Sequence, residues 1–193
     1  MVQVNYPVLS KNELDLIKKE LEERHRNVQW GLNGILDFDS LVQNQRGSIL
    51  VTQIYLHEIN NFRNVRQDVD YMVFFNKGTY PITGTILLSG ALCERTGLPY
   101  IIAHISRQSQ AVERVKWGRL CNVNGDLDGE GILLTDYINE DKSIKSVSEE
   151  VSLRRGKIKL VLAYSASNSL EQKLREELSK KGTELKILFQ NKR

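Results

Sequence analysis

Gly131-Ile132-Leu133-Leu134-Thr135-Asp136-Tyr137-Ile138-Asn139-Glu140-Asp141-Lys142-Ser143 is the stretch whose reading decides the fold. The apolar run Ile132 to Leu134 is too short for a buried helix and ends at Thr135 and Asp136; a polar loop and an amphipathic helix follow. It reads as a strand with an acidic tip, a loop and a helix. In an open parallel sheet the carboxyl end of such a strand is where ligands sit, because loop amides and helix amino termini converge there. The run has no polar face, which predicts a central position in a doubly wound, mainly parallel α/β sheet of about five strands flanked by helices.

Working outward, the same grammar repeats on both sides. Downstream, Ile144, Val147 and Val151 form the apolar face of the helix, and Lys157 to Tyr164 is a strand. Asn168 with Glu171 can cap a helix with Leu170, Leu174 and Leu178 on one face, and Glu184 to Phe189 is the last strand. Glu171 and Arg175, Glu176 and Lys180, and Glu177 and Lys181 stand four apart on its other face. Upstream, Tyr71 to Phe75 is an apolar strand, a helix containing Ile86, Leu87 and Leu92 closes at Gly97, and Pro99 to Ile105 is the next strand. A long polar loop is expected from Ser106 to Glu130. Alternating strands and helices of these lengths imply parallel crossovers.

The amino-terminal part reads differently. Ser10 and Glu13 form a capping box, and Leu14, Ile17 and Leu21 make one stripe, so a helix is expected from Lys11 to Glu23. Residues 24–45 are mixed. Ser48 to Leu56 is rich in β-formers and is expected as a peripheral strand, with Asn60 to Asp68 as a polar connection. The predicted organisation is a helix-and-strand appendage over residues 1–69 followed by an α/β domain over 70–193.

Composition excludes several classes. With 193 residues, of which 40% are hydrophobic and 26% charged, the chain can bury a substantial core. The net charge of +3 comes from 27 basic and 24 acidic residues with interspersed signs, which does not mark a nucleic-acid binder. Arg154, Arg155, Lys157 and Lys159, with Lys192 and Arg193, read as a solvated face, a weak nucleic-acid patch being the alternative. Cys93 and Cys121 lie far apart without ligand spacing, so neither a zinc site nor a disulfide framework is expected, and His25, His57 and His104 show no ligand spacing. No run reaches membrane-span length and the amino terminus carries no apolar leader, which makes the cytoplasm the default location.

From Asp70 to Phe189 the chain resembles the type I phosphoribosyltransferases, and most of all the orotate phosphoribosyltransferases. The resemblance lies in the order of parts: a strand and glycine-proline loop into a helix ending Arg95-Thr96-Gly97-Leu98-Pro99, then a basic loop. The Gly125-Asp126-Leu127 lead-in and the acid-tipped strand follow, then the strand ending Ala163-Tyr164-Ser165, and a helix returning through Gly182-Thr183-Glu184-Leu185. It implies a cradle for the 5-phosphate of phosphoribosyl pyrophosphate, acidic groups on the ribose, a magnesium-bound pyrophosphate and a cation over the leaving group. It also implies a homodimer with the long loop reaching the other subunit.

Residue by residue, the resemblance assigns Asp136, Lys116 and Arg114 to catalysis, and Lys77, Gly78, Thr79, Asn139, Lys142 and Ser143 to donor binding, with Mg2+ present only if phosphoribosyl pyrophosphate is bound. The family's strand tip carries two adjacent acids and then a Thr/Gly-rich loop whose amides wrap the phosphate. Here Thr135 stands in place of the first acid. The loop has no glycine and brings Glu140 and Asp141 where a dianion would sit; a carboxylate within about 4 Å of a phosphate costs on the order of several kcal/mol at intermediate dielectric. Val115 occupies the expected place of a further lysine, and residues 48–63 lack the family's Ser-Pro-Tyr-Asp-Arg pattern. Two functions therefore compete: a non-catalytic nucleotide-binding or regulatory protein, and an active transferase using a pyrimidine or related base.

Overall fold

In the computed structural model, residues 5–27, 38–77, 83–105, 112–117, 127–138 and 140–190 are described, with 27, 75–77, 83–86, 104–105, 112–117 and 190 defined by their backbone. The chain resolves into two compact units, Met1–Gln67 with Ile82–Gly97, and Asp68–Pro81 with Leu98–Arg193.

The first unit is helical: α1 (Lys11–Asn27), α2 (Phe38–Gln43), α3 (Gln45–Val65) and α4 (Thr83–Thr96). The Ser10 capping box forms as its sequence implies: the Ser10 N–H donates to Glu13 Oε2 at 2.8 Å and the Glu13 N–H to Ser10 Oγ at 3.4 Å. Gly97 ends α4 in the left-handed region, at φ 68°.

The strand expected at Ser48 to Leu56 is instead the middle of α3, and most of the connection expected at Asn60 to Asp68 is its last turns. The helix starts at Asn44, whose Oδ1 accepts from the N–H groups of Arg46 and Gly47, both at 3.1 Å. The β-branched residues are overruled by spacing: Leu50, Val51, Ile54, Tyr55, Ile59 and Phe62 recur at helical intervals and are all buried. Packing of a continuous apolar stripe outweighs β-propensities that span only about 1 kcal/mol.

The second unit is built on one sheet. Its strands are β1 (Val69–Lys77), β2 (Tyr100–Ile105), β3 (Val112–Trp117), β4 (Gly129–Ile138), β5 (Gly156–Ala166) and β6 (Glu184–Gln190), with α5 (Asp141–Leu153) and α6 (Asn168–Lys180) between them. The strand order is β3-β2-β1-β4-β5-β6. Five strands run parallel, and β3, which lies inside the stretch expected to be loop, pairs antiparallel at the edge. The predicted mainly parallel α/β class holds, and β4 is central: it pairs Val73↔Leu133 with β1 and Leu133↔Val161 with β5. Ile132, Leu133 and Leu134 are fully buried, as a strand without a polar face requires.

One sheet face, through Val73, Ile101, Leu133, Val161 and Leu185, packs in a single core with Ile144, Val147 and Val151 of α5 and Leu174 and Leu178 of α6. Ser167, one residue before the expected Asn168, is the capping position of α6. The Glu171–Arg175 pair forms at 2.8 Å, whereas Glu177 reaches across to Lys145 of α5, also at 2.8 Å.

Candidate functional site

Strand order places the crevice. Chain connectivity runs outward from β1 on one side and from β4 on the other, so their carboxyl ends flank the topological switch point. Asn76 and Lys77 end β1, and Thr135, Asp136 and Tyr137 lie toward the end of β4. The structure thus brings the backbones of Lys77 and Asp136 to neighbouring strand ends.

It does not bring Arg114 and Lys116 to the same place. Arg114 pairs with His104 and Lys116 with Ile102, on the edge strand β3. Three interstrand steps separate β3 from β4, about 14 Å at ordinary spacing. Arg114 stands level with the sheet's carboxyl edge, through His104 to Asn76, while Lys116 sits two residues deeper, level with Phe74. Gly78, Thr79 and Asn139 lie outside the described residues.

At the β4 tip, Asp136 is half-buried. Its Oδ1 accepts from the N–H of Tyr137 at 2.6 Å and from the hydroxyl of Thr135 at 3.2 Å. Thr135, in place of the family's first acid, is buried and serves its neighbour. The strand tip therefore carries one carboxylate, with one oxygen committed to its own turn.

Two acids, Glu140 and Asp141, stand at the start of α5, and the Glu140 side chain makes no hydrogen bond to the helix amides. Glu140 occupies the capping position with extended backbone, and its Oε1 accepts from the buried Ser143 hydroxyl at 3.0 Å. Asp141 is paired within α5 and across to α6: Oδ2 is 2.9 Å from Lys145 Nζ and 3.2 Å from Lys173 Nζ. Hydrogen bonds from Lys145 and then Lys173 hold its carboxyl down at about 2. Lys145, also bound to Glu177, has its ammonium pushed up, by Glu177 first and Asp141 second. Negative side chains in a first helical turn complement the macrodipole, so the field that would attract an anion is already partly satisfied. Lys142 is exposed, as a surface residue of that first turn.

Among the described residues, no group of three or more His, Cys, Asp or Glu side chains comes together to hold a metal, and no helix is long and apolar enough to cross a membrane. His25 is half-buried, and burial pushes its imidazole down to about 4. His57 is buried, with Nδ1 accepting from the Leu9 N–H. Of the basic residues read as a solvated face, Arg154 pairs with Glu150 at 2.9 Å and Lys159 with Glu130 at 3.0 Å.

No family model matches this chain, and none of the curated proteins does. Solved structures do. An orotate phosphoribosyltransferase from Aeropyrum pernix superimposes with a TM-score of 0.62 at 16% identity, covering 90% of this chain and 93% of that one. That of Mycobacterium tuberculosis, in complex with inorganic phosphate, gives 0.56 at 14% identity over 91% and 88%. The UMP synthase of Leishmania donovani gives 0.57 at 11% identity over 93% of this chain, which spans 36% of that enzyme's length. At such identities the likeness is one of architecture, and the chain has the type I phosphoribosyltransferase fold.

Proposed function

We propose that this is an orotate phosphoribosyltransferase-like protein that keeps the fold and its sheet-edge crevice but does not catalyse ribosyl transfer, and that it binds a nucleotide or phosphoribosyl ligand as a regulatory element. The observation that carries this reading is the first turn of α5. Glu140, tied to the Ser143 hydroxyl, sets a carboxylate at the helix start where it would oppose a phosphate, while Asp141 is held by Lys145 and Lys173. A single strand-tip acid, Asp136, supports it further. A magnesium-bound pyrophosphate is a poor fit to these residues: Thr135 replaces a carboxylate, and all three nearby acids already have partners. Homodimer assembly belongs to the same proposal, with light scattering as its check.

One observation favours the alternative, an active transferase acting on a pyrimidine or related base. Asp141 is engaged by Lys145 of its own helix and by Lys173 of α6, which leaves Glu140 as the carboxylate opposing a phosphate. Calorimetric titration with phosphoribosyl pyrophosphate and Mg2+, alongside an orotidylate assay, separates the two. The expected result is no orotidylate and weak or absent donor binding. Thr135→Asp combined with Thr-Thr-Gly-Gly at residues 139–142 should improve donor affinity by about 1–3 kcal/mol, the scale of a few charge-assisted hydrogen bonds. Turnover by the unmodified protein at about 1 per second or faster would establish the alternative.

A further inference from the structure

Residues 5–10 run along α3 within the helical unit, held by polar side chains of one helix stripe. Asn64 reads Tyr6 on both sides of its backbone: the Tyr6 N–H donates to Asn64 Oδ1 at 2.7 Å, and Asn64 Nδ2 donates to the Tyr6 carbonyl at 3.0 Å. Asn60 Nδ2 donates to the Pro7 carbonyl at 2.7 Å, and the Leu9 N–H donates to His57 Nδ1 at 3.0 Å. The two directions are antiparallel. From His57 to Asn64 the helix rises about 10.5 Å, and the three residues from Leu9 back to Tyr6 cover about 10 Å only when extended. The stripe is therefore spaced to read an extended chain.

Tyr6 is the one position read by its side chain. The Arg63 guanidinium lies 3.6 Å over its ring, donates to its phenol oxygen at 2.7 Å, and is itself anchored on the Thr96 carbonyl at 2.9 Å. Pro7 pre-sets its own φ and biases Tyr6 to extended geometry, which lowers the entropy lost on docking. Of the other strap side chains, Leu9 is half-buried, Asn5, Pro7 and Val8 are exposed, and Ser10 is engaged with Glu13 of α1. The readers beneath, His57, Asn60 and Arg63, are buried. Attachment through a few hydrogen bonds worth about 1 kcal/mol each, with no strap side chain fully buried, belongs to the low-stability end of a fold.

We propose that this stripe of α3 is a peptide-reading surface, closed in cis by residues 5–10 and open to exchange with an extended segment from a partner protein that carries an aromatic residue followed by proline. The aromatic group would take the Arg63 stack, and backbone groups would take Asn64, Asn60 and His57. A permanently fixed amino-terminal arm would show the same contacts but would not exchange.

The test uses a fluorescein-labelled peptide, Asn-Tyr-Pro-Val-Leu-Ser, titrated by anisotropy against the full chain. In the unmodified protein the tethered strap competes at an effective concentration of the order of millimolar, so binding is weak. In full-length Tyr6→Ala, whose own strap has lost the Arg63 contact, the peptide binds at least about tenfold tighter, the equivalent of 1.4 kcal/mol. Adding Asn64→Ala, or the milder Asn64→Asp, removes that gain while the thermal transition stays cooperative. A peptide with alanine in place of tyrosine does not bind. Equal affinity for the unmodified and Tyr6→Ala chains, no binding to either up to about 1 mM, or binding that survives both Asn64 variants overturns the proposal.

Discussion

Tyr71 shows how much a single side chain organises in the sheet unit. Its ring lies across Gly131 of β4, where a Cβ would land on it, and its hydroxyl accepts from the Lys157 N–H of β5 at 2.9 Å while facing the Gly129 carbonyl at 3.3 Å. Glycine at 131 is thus a packing requirement, and one phenol ties together the amino-terminal ends of three strands. Burial, ahead of the nearby carboxylates, pushes this phenol up to about 12. The neutral form is the one favoured in the folded chain, so the contribution is whole below the unfolded value near 10 and is lost as pH rises through about 12. Two units correspond to roughly 2–3 kcal/mol. Urea unfolding should show stability falling between pH 10 and 12. Tyr71→Phe should flatten that fall and cost about 1–2 kcal/mol at neutral pH, because the Lys157 N–H loses its acceptor.

At the scale of elements, α5 and α6 are joined by an ionic clamp as well as by their shared core. Asp141 bridges Lys145 and Lys173, and Lys145 continues to Glu177. The clamp draws one acid of the α5 first turn away from the strand tip, so it shapes the candidate site from outside it. Because Asp141 is depressed to about 2, its contribution is present above the unfolded value near 4 and disappears as pH falls through about 2. Lys173 is well exposed and Lys145 partly so, and solvent screening keeps the effect below about 1 kcal/mol. Melting temperature should decline as pH is lowered from 4 to 2, and Asp141→Asn should remove part of that decline while lowering the melting temperature slightly at pH 7. An unchanged acid profile in the variant would show that the clamp carries no stability.

For the whole molecule, the sheet is the frame and β4 its middle. A strand paired on both sides and buried on both faces opens only when the unit unfolds. Amide exchange of Ile132, Leu133 and Leu134 should therefore be the slowest in the chain and match the global unfolding free energy. The amides of Tyr6 and Leu9, held by the side chains of Asn64 and His57, should exchange orders of magnitude faster. Slow exchange at those two amides would contradict a displaceable strap. The likeness to the solved phosphoribosyltransferase structures, which cover 90–93% of this chain, is one of fold. Fold does not decide chemistry, which rests on the crevice residues.

Sequence by itself determined the parallel sheet, the central place of Ile132 to Leu134 and the capped first helix. Each rests on local signals: an apolar run without a polar face, strand-helix alternation, and a Ser10–Glu13 spacing that satisfies its own amides. The acidic strand tip at Asp136 was legible in the same way, whereas Lys77 was a candidate only through the family resemblance. Tertiary structure alone decided the rest. Residues 48–56 carry β-branched side chains and became helix because their apolar positions continue at helical spacing into Ile59 and Phe62, where a core accepts them. The edge strand β3 exists because β2 offers it a partner, which no local pattern in residues 112–117 announces. Asn60, Arg63 and Asn64 looked like polar connection until the helix set them at the pitch of an extended chain 53 to 58 residues away. Asp141 found its second partner, Lys173, on α6, 32 residues on. Such pairings depend on which surfaces the folded chain brings together, and a linear pattern holds no record of them.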